Sequence, residues 1–383
     1  MPEALKLSKK IHMVDLVSQH SAYKHDLDQA IEKVLSHGAF INGPEVKTFG
    51  QNLADFLKVK YLVPCANGTD ALQIALTALE LKAGDEVITT SFNYVAAAEA
   101  AALLGLKPVF AEVEADTFNL NADTLEQYIS PKTKAIIVVH LFGQACDMNK
   151  IMAIAEKHNL YIIEDNAQSL GCEINFKGEL KMAGTIGHIG TTSFFPTKNL
   201  GCLGDGGAVF TNDETLHNKC KSISSHGQGA RYEFQRIGIN SRLDTIQAAV
   251  LDLKLRYLQD SLDKRKKWAQ QYFESLEPVI EIVLPVIGKN TTHSYNQFVI
   301  KVSDNKRDAL KKYLADHEIP SMVYYPKPLH LQPAFGFLQY KQGDFQVSER
   351  LCEQVLALPI HPELTGEQIL YINEKIKEFF HAR

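Results

Sequence analysis

Two charged residues stand at positions where the chain is otherwise apolar. Asp165 follows the apolar run 160–163, and Lys198 stands between the aromatic pair at 194–195 and a glycine-rich turn. A carboxylate at the end of a buried strand loses water and requires a positive partner. A desolvated lysine has a lowered pKa, and its amine can attack a carbonyl group to form a Schiff base. Taken alone, Asp165 is equally well explained as a helix N-cap, and Lys198 as an exposed loop lysine.

A possible phosphate site follows the first predicted strand. Gly68 lies just before the helix predicted at 71–79, at a helix start where free backbone N–H groups bind phosphate and glycine permits close approach. The hydroxyl groups of Thr69 and Ser193 are further candidate ligands. A Gly-Thr-Asp sequence is also a common helix cap without any ligand. Phe92 and Tyr94, after the next strand, have rings that can stack on a planar ligand or pack in the core.

These four features together fit one ligand, pyridoxal phosphate. Its phosphate matches the segment 68–70, its planar ring matches the aromatic residues at 92–94, its ring nitrogen matches Asp165, and its aldehyde matches Lys198. The combination is far more specific than any of its parts. The sequence therefore predicts a site for this cofactor.

Alternating strands and helices position these residues. Alternation of this length predicts a largely parallel sheet wrapped by helices, which binds ligands beyond the carboxyl ends of its strands. The predicted strands are 61–64, 86–89, 108–113, 134–140, 160–164, 189–194 and 207–211, with helices at 26–35, 44–57, 71–79, 95–104, 122–129 and 147–158.

The rest of the chain predicts a second unit. A polar loop at 224–240 precedes a helix predicted over 243–276, which contains neither proline nor glycine. The C-terminal part predicts strands at 295–302 and 322–325 and helices at 307–317, 348–356 and 365–379. We therefore expect a large α/β domain at 1–255 and a smaller α+β domain at 256–383.

Composition excludes several classes of protein. A net charge of −5, 45% hydrophobic residues and 22% charged residues are typical of a globular protein that binds no nucleic acid. The longest apolar stretches, 95–106 and 135–142, are shorter than the ~18 to 20 residues of a membrane span. The segment 1–14 does not resemble a secretory signal. Six cysteines without CxxC spacing predict free thiols in a reducing cytoplasm and no metal site.

The sequence resembles the DegT/StrS group of nucleotide-sugar aminotransferases, which are pyridoxal-phosphate enzymes of the aspartate-aminotransferase fold (fold type I). The resemblance extends over nearly the whole chain. It is carried by the segments 66–72 (ANGTDAL), 84–88 (GDEVI), 164–169 (EDNAQS), 193–201 (SFFPTKNLG), 238–242 (GINSR) and 324–330 (YYPKPLH).

The resemblance implies a role for each site residue. Lys198 would hold the cofactor covalently and carry the proton to and from the substrate carbon, while Asp165 would keep the ring nitrogen protonated. Asn240 would reach the cofactor phosphate of the neighbouring subunit, which implies a homodimer with shared sites. Further cofactor contacts are implied for Tyr94 and Gln168 at the ring, and for Thr69, Asp70 (through its backbone) and Ser193 at the phosphate.

The resemblance also implies a reaction in two halves. Glutamate would convert the cofactor to its amine form, which would then aminate a keto group on a nucleotide-linked hexose for amino-sugar and cell-surface polysaccharide synthesis, such as lipopolysaccharide. The motifs look most like those of enzymes that aminate C3 of a 3-keto sugar, with a 4-keto sugar as the alternative. Relatives with histidine in place of the lysine dehydrate sugars, and Lys198 argues against that branch.

Substrate contacts are less specific in the sequence. Arg242 would pair with a sugar carboxylate, with Asp244 or with the partner chain. Uronate-specific relatives often have histidine where this chain has Tyr324, which weakens a uronate assignment. The remaining candidate contacts to the sugar or nucleotide are His226, Tyr325 and His330.

Two other classes of function compete with this one. The first is a regulatory protein on the same scaffold, against which the intact Asp165 and Lys198 argue. The second is a pyridoxal-phosphate lyase acting on amino acids, which requires an arginine clamp for an α-carboxylate.

Overall fold

The computed structural model describes residues 10–381. The segment 1–14, which was predicted not to be a secretory signal, therefore lies mostly outside the described residues. The described residues form twelve α-helices: α1 (Leu16–Ala22), α2 (Lys24–His37), α3 (Pro44–Leu57), α4 (Gly68–Ala78), α5 (Ala96–Leu103), α6 (Met148–His158), α7 (Glu214–Ile223), α8 (Thr245–Leu255), α9 (Leu258–Leu276), α10 (Arg307–Asp316), α11 (Gln346–Gln354) and α12 (Gly366–His381).

The same residues form fourteen strands. They are β1 (Tyr61–Cys65), β2 (Glu86–Thr90), β3 (Lys107–Ala111), β4 (Thr133–Val139), β5 (Tyr161–Asp165), β6 (Glu173–Phe176), β7 (Glu179–Met182), β8 (Ile189–Ser193), β9 (Gly207–Thr211), β10 (Gln228–Ala230), β11 (Glu233–Phe234), β12 (Ile282–Val283), β13 (Phe298–Val302) and β14 (Val355–Leu358). Four short 3-10 helices complete the described part, at Ala122–Tyr128, Leu141–Gly143, Leu329–Leu331 and Pro333–Leu338.

A seven-stranded sheet forms the centre of the large unit, in the order β1-β9-β8-β5-β4-β2-β3. The pairs β2–β3, β2–β4, β4–β5 and β5–β8 are parallel, and β9 runs antiparallel to both of its neighbours. Strands β2 and β9 are buried along their whole length because helices cover both faces of the sheet. The predicted α/β fold with a mostly parallel, helix-wrapped sheet is confirmed.

A second sheet, β12-β13-β14, is antiparallel and supports the C-terminal unit. Its apolar core includes Trp268 and Tyr272 of α9, Phe298 of β13 and Ile372 of α12, and it also takes in Ile11 from the start of the described chain. This separate core agrees with a division of the chain near residue 255, which stays a prediction.

Several predicted elements differ from the structure. The helix predicted at 122–129 is a 3-10 helix over Ala122–Tyr128. The helix predicted over 243–276 is broken between α8 and α9, where Tyr257 leaves helical geometry (φ −102, ψ 2) and stacks on Tyr23 at 4.9 Å between ring centroids. The strand predicted at 322–325 is wrong, since only Met322 forms an isolated bridge there. The helix predicted over 348–356 ends two residues early because its last two residues begin β14.

The polar loop predicted at 224–240 contains a small hairpin, β10 and β11. Within residues 10–381, no helix has both the length and the apolar character needed to cross a membrane.

Candidate active site

The site lies at one edge of the large sheet. Strands β2, β4, β5 and β8 end at this edge, and β9 begins there, with Gly207 paired both to Ser193 and to Cys65. Parallel strands bring the residues after their carboxyl ends together. The predicted residues Gly68, Tyr94, Asp165 and Ser193 all follow or end such strands, so the topology gathers them at one edge.

Asp165 is the last residue of β5 and is buried, with 8% of its surface exposed. Burial raises the pKa of its carboxyl group, although the Ala167 N–H, which donates to Oδ1 at 3.0 Å, and the Lys198 charge oppose this rise. A second oxygen of Asp165 has no hydrogen-bond partner within the described part of the chain. Asp165 is therefore a partly desolvated carboxylate that can still accept a proton or a hydrogen bond from a ligand.

Lys198 lies in the loop between β8 and β9. Burial lowers the pKa of its amine, and the charge of Asp165 only partly offsets this effect. The two side chains form no direct ion pair, so Lys198 has no carboxylate partner among residues 10–381. A lysine in this state is neutral more readily than an exposed lysine and is a better nucleophile.

Two side chains of α8, the buried Lys254 and the half-buried Gln247, hold the loop that carries Lys198. Lys254 is 7% exposed, and its Nζ donates to the Gly201 carbonyl at 2.7 Å. Burial lowers the pKa of Lys254 to about 8. Gln247 accepts a hydrogen bond from the Leu203 N–H at 2.8 Å. The loop is thus fixed to the large unit on the C-terminal side of the lysine.

A second buried cluster supports the Asp165 strand. Glu164 and His140 are both fully buried, and His140 Nε2 lies 2.8 Å from Glu164 Oε2. Because His140 Nδ1 accepts the Cys146 N–H at 3.2 Å, its Nε2 is the protonated nitrogen and donates to Glu164. Glu164 also accepts the backbone N–H groups of the 184–187 turn. His140 N in turn donates to the Asp165 carbonyl at 3.1 Å, so this cluster fixes the backbone of Asp165.

The phosphate cradle forms between α4 and the end of β8. A Cβ atom added to Gly68 would lie 2.7 Å from the Ser193 Cβ, so only glycine permits this approach. One expectation needs correction: the Asp70 N–H donates to the Asn67 side chain at 2.8 Å and is not free for a phosphate. The N–H groups of Gly68 and Thr69, at the open first turn of α4, remain the candidate donors.

The aromatic side of the site joins the two units. Gln168 donates from Nε2 to the Tyr325 hydroxyl at 3.1 Å, and its Oε1 accepts the Phe142 N–H at 2.6 Å. Burial raises the pKa of Tyr325, which keeps this hydroxyl protonated. The ring of Tyr94 is 59% exposed and its centroid lies 6.4 Å from that of Tyr325. Tyr94 is therefore available to cover a planar ligand, whereas Phe92 is fully buried and belongs to the core.

The segment around Asn240 lies beside the phosphate cradle. Ser241 Oγ accepts the Ala66 N–H at 3.0 Å, and Asn240, which is exposed, forms a bridge with Ser225. His226 is exposed at the base of the hairpin and donates its backbone N–H to the Ile239 carbonyl.

Arg242 does not form the ion pair with Asp244 that the sequence offered as one of three possibilities. No ion pair with Asp244 exists within residues 10–381, and the buried Arg242 Nε has no hydrogen-bond partner. A ligand carboxylate and a partner chain are the two alternatives left for its guanidinium group.

The expectation for His330 needs correction. This histidine is 2% exposed, with Nδ1 at 2.6 Å from Ser91 Oγ and Nε2 at 3.1 Å from Glu349. Both ring nitrogens are therefore used inside the protein, and His330 holds the 329–331 turn against the large unit instead of offering a free contact to substrate.

The residues present fit pyridoxal phosphate. The approach of Gly68 to Ser193 leaves a glycine-lined cradle beside free N–H groups, and the Ser193 hydroxyl accepts only the Phe195 N–H at 3.2 Å, which leaves its own proton to donate. Asp165 and Lys198 act on each other electrostatically without direct contact. This donor set suits a group with a phosphate at one end and a polar ring between a carboxylate and an amine.

Comparison with known proteins identifies the family. Residues 22–377 match the model of the DegT/DnrJ/EryC1/StrS aminotransferase family. The chain belongs to this family. The family match confirms the predicted family and the predicted class of enzyme, a transaminase.

Individual relatives cover almost the whole of this aminotransferase. The UDP-2-acetamido-2-deoxy-3-oxo-D-glucuronate aminotransferase of Pseudomonas aeruginosa is 44% identical over 94% of this chain and 98% of its own. A pleiotropic regulatory protein of Geobacillus stearothermophilus is 42% identical over 97% of this chain and 98% of its own. The crystal structure of NtdA from Bacillus subtilis, with bound cofactor PMP, is 30% identical with a TM-score of 0.90 and covers 99% of this chain and 87% of its own. Its bound cofactor agrees with the predicted pyridoxal phosphate.

Sequence reasoning missed the residues that support the site. His140 directly follows β4 as Asp165 ends β5, and these strands are neighbours in register (Val139 opposite Asp165). Because β4 and β5 were predicted as parallel strands that end at the same edge, the sequence could have indicated that the residue after β4 contacts β5. Lys254 gave no such signal, because its contact with Gly201 joins segments far apart in sequence.

Proposed function

We propose that this aminotransferase transfers an amino group from glutamate to the keto group of a nucleotide-linked hexose, with a 3-keto sugar as the first candidate. The observation that carries the proposal is the pair Asp165 and Lys198, which are both buried and lie without direct contact at the ligand edge of the sheet. The activity named for the 44% identical Pseudomonas relative supports the substrate class. Amino-sugar synthesis for cell-surface polysaccharides, including lipopolysaccharide, is the corresponding process.

Each site residue has a distinct part in this proposal. Bound pyridoxal phosphate supplies an aldehyde and an electron-accepting ring. Lys198 Nζ, whose pKa is lowered by burial, would form the covalent link to this aldehyde and would hold the proton that leaves or joins the substrate carbon. Asp165 would favour the protonated ring nitrogen, and Gln168, which is hydrogen-bonded to Tyr325 and Phe142, would contact the ring. Gly68, Thr69 and Ser193 would hold the phosphate.

We infer a homodimer with shared sites. The hairpin that precedes Asn240 exposes three large apolar side chains, Tyr232 at 77%, Phe234 at 61% and Ile237 at 90%. Clustered apolar surface of this kind is typical of a protein interface. A second copy of the chain would cover it and would bring Asn240 to the neighbouring phosphate cradle.

Substrate contacts follow from the unused polar groups. Arg242 is proposed to bind a carboxylate of the sugar, because its buried Nε has no hydrogen-bond partner among residues 10–381. His226 and Tyr325 remain proposed sugar or nucleotide contacts. All six cysteines are free and buried, which supports a reducing, cytoplasmic setting.

The test uses the cofactor as an optical probe. Glutamate added to the cofactor-loaded protein is expected to change its visible absorbance, and UDP-, dTDP- or GDP-linked 3-keto or 4-keto hexoses are screened for reversal of that change. Mass spectrometry identifies the amino sugar formed, and Lys198→Ala is the inactive control. Absence of any absorbance change with glutamate would contradict the proposal and favour a regulatory protein on the same scaffold.

A further inference from the structure

A groove of ≈ 780 Å³ lies between α7 and the β10–β11 hairpin. Four cations line it: Lys219 and Lys221 on α7, and Arg231 and Arg236 on the hairpin segment. No carboxylate is among the described residues that line it, although the chain as a whole has a net charge of −5. The rest of the lining consists of hydroxyl and amide side chains together with Gly229 and Ala230. The groove is thus a local concentration of positive charge on an acidic protein.

The positive charge of this groove is largely uncompensated. Lys219 pairs with Glu80 at 2.7 Å, outside the groove. Within residues 10–381, Lys221, Arg231 and Arg236 form no ion pair with any carboxylate. Ser222 also lines the groove and is 9% exposed, and in the described part of the chain its Oγ has no hydrogen-bond partner. An anion with several oxygens would satisfy both the cations and this hydroxyl group.

Another groove on the same chain shows a different pattern of charge. Between α2, α3 and α8, the cations Lys33 and Arg256 stand beside the carboxylates of Asp26, Glu45 and Asp252. Ion pairs within that groove, such as Lys33–Glu45 at 3.1 Å, neutralise much of its charge. The groove beside α7 therefore differs from this second groove in carrying concentrated charge of one sign, which attracts anions.

Direct contacts connect the basic groove to the candidate active site. Ser225, which lines the groove, forms the bridge with Asn240. The next residue, Ser241, accepts the Ala66 N–H at the start of the phosphate cradle. A ligand in the groove would therefore lie beside the segment that is proposed to complete an active site.

We propose that this groove binds the diphosphate of the nucleotide-linked sugar, at the active site that Asn240 serves. The proposal rests on the proposed function and adds the residues that recognise the nucleotide part. Guanidinium groups bind phosphate oxygens in a bidentate way, and Arg231 and Arg236 supply two of them. Lys221 adds a third uncompensated charge, and Ser222 adds a hydroxyl donor.

The test measures binding of nucleoside diphosphates to the cofactor-loaded protein. UDP, dTDP and GDP are titrated by calorimetry into wild type, into a triple variant (Lys221→Gln, Arg231→Gln, Arg236→Gln) and into the control Arg350→Gln, an exposed arginine on α11. We expect wild type and control to bind at least one of the three, and the triple variant to bind it more than about tenfold more weakly. The visible spectrum of the bound cofactor reports that the variant is folded.

Each outcome distinguishes this proposal from the proposed function. A triple variant that binds within about twofold of wild type, or a wild type that binds none of the three, would overturn the groove assignment. UMP, tested in parallel, should lose much less affinity than UDP, since it lacks the second phosphate. Equal losses would also count against diphosphate recognition. The proposed function itself is tested separately, by the response of wild-type cofactor absorbance to glutamate.

Discussion

At the scale of single residues, the site depends on two groups that are costly to bury. Asp165 and Lys198 each lose water on folding, and burial shifts the pKa of each towards its neutral form. Such opposed shifts at a ligand-binding edge are typical of functional sites and give little stability. The same residues were predicted from the sequence, because each stands at the end of an apolar or aromatic run.

The charge of Asp165 is testable by an isosteric change. Asp165→Asn should keep the cofactor bound through the phosphate contacts but slow the glutamate-driven absorbance change by at least about a hundredfold, because the amide carries no charge to favour the protonated ring nitrogen. Stopped-flow absorbance measures this rate. The control Asp304→Asn, at an exposed position before α10, should react like wild type. A rate within about tenfold of wild type for Asp165→Asn would contradict the role of Asp165.

Lys254 makes stability depend on pH. Its pKa falls from 10.5 to about 8 on folding, so between these values the unfolded chain binds a proton that the folded chain does not. The free energy of unfolding of wild type should therefore rise relative to Lys254→Met by about 2 kcal/mol between about pH 7.5 and about pH 9.5. Urea unfolding of both proteins at equal concentration measures this difference. If this difference in unfolding free energy stays constant with pH, burial does not lower the pKa of Lys254.

At the scale of elements, the cradle depends on how closely α4 approaches β8. Gly68→Ala should force these elements apart, because the new Cβ would lie 2.7 Å from the Ser193 Cβ. We expect a stability loss of about 1–3 kcal/mol and weaker retention of the cofactor. Gly336→Ala, where no atom lies within 4 Å of the added Cβ, is the matched control. Thermal unfolding and cofactor titration measure both effects, and unchanged cofactor affinity in Gly68→Ala would refute the cradle.

The sequence predicted elements well where local pattern decides them. Strand β9 was predicted with the bounds that it has, as was helix α3. The break before α9 was not predicted, because the segment contains only helix-compatible residues and the break coincides with packing of Tyr257 on the distant Tyr23. Strand β14 was missed for a similar reason, since its apolar run fits either a helix or a strand until β13 pairs with it.

The site shows the same division between local and distant causes. Reactive side chains such as Lys198 could be identified from the sequence. The sequence did not show which polar groups are already hydrogen-bonded inside the protein. The Asp70 N–H is taken by the Asn67 cap three residues earlier, which is a local cause. His330, in contrast, is held by Ser91 and Glu349 from other segments. Hydrogen bonds between distant segments follow from the fold, and a residue list does not contain them.

At the scale of the whole molecule, the proposed sharing of sites predicts complementation. A mixture of Lys198→Ala and Asn240→Ala chains, unfolded and refolded together, should regain activity, because each mixed dimer contains one site with both residues intact. Activity is measured as amino-sugar formation from glutamate and an accepted keto sugar. Each variant refolded alone is the control. If the mixture is no more active than the sum of the two controls, Asn240 does not act across the subunit boundary.

The central claim is that the Lys198 amine is the covalent attachment point of pyridoxal phosphate. Borohydride reduction of the cofactor-loaded protein, followed by peptide mass spectrometry, tests it most directly. We predict that the peptide containing Lys198 gains the mass of the reduced cofactor and that peptides containing other lysines do not. An unmodified Lys198 peptide, or the cofactor mass on another lysine, would contradict the account.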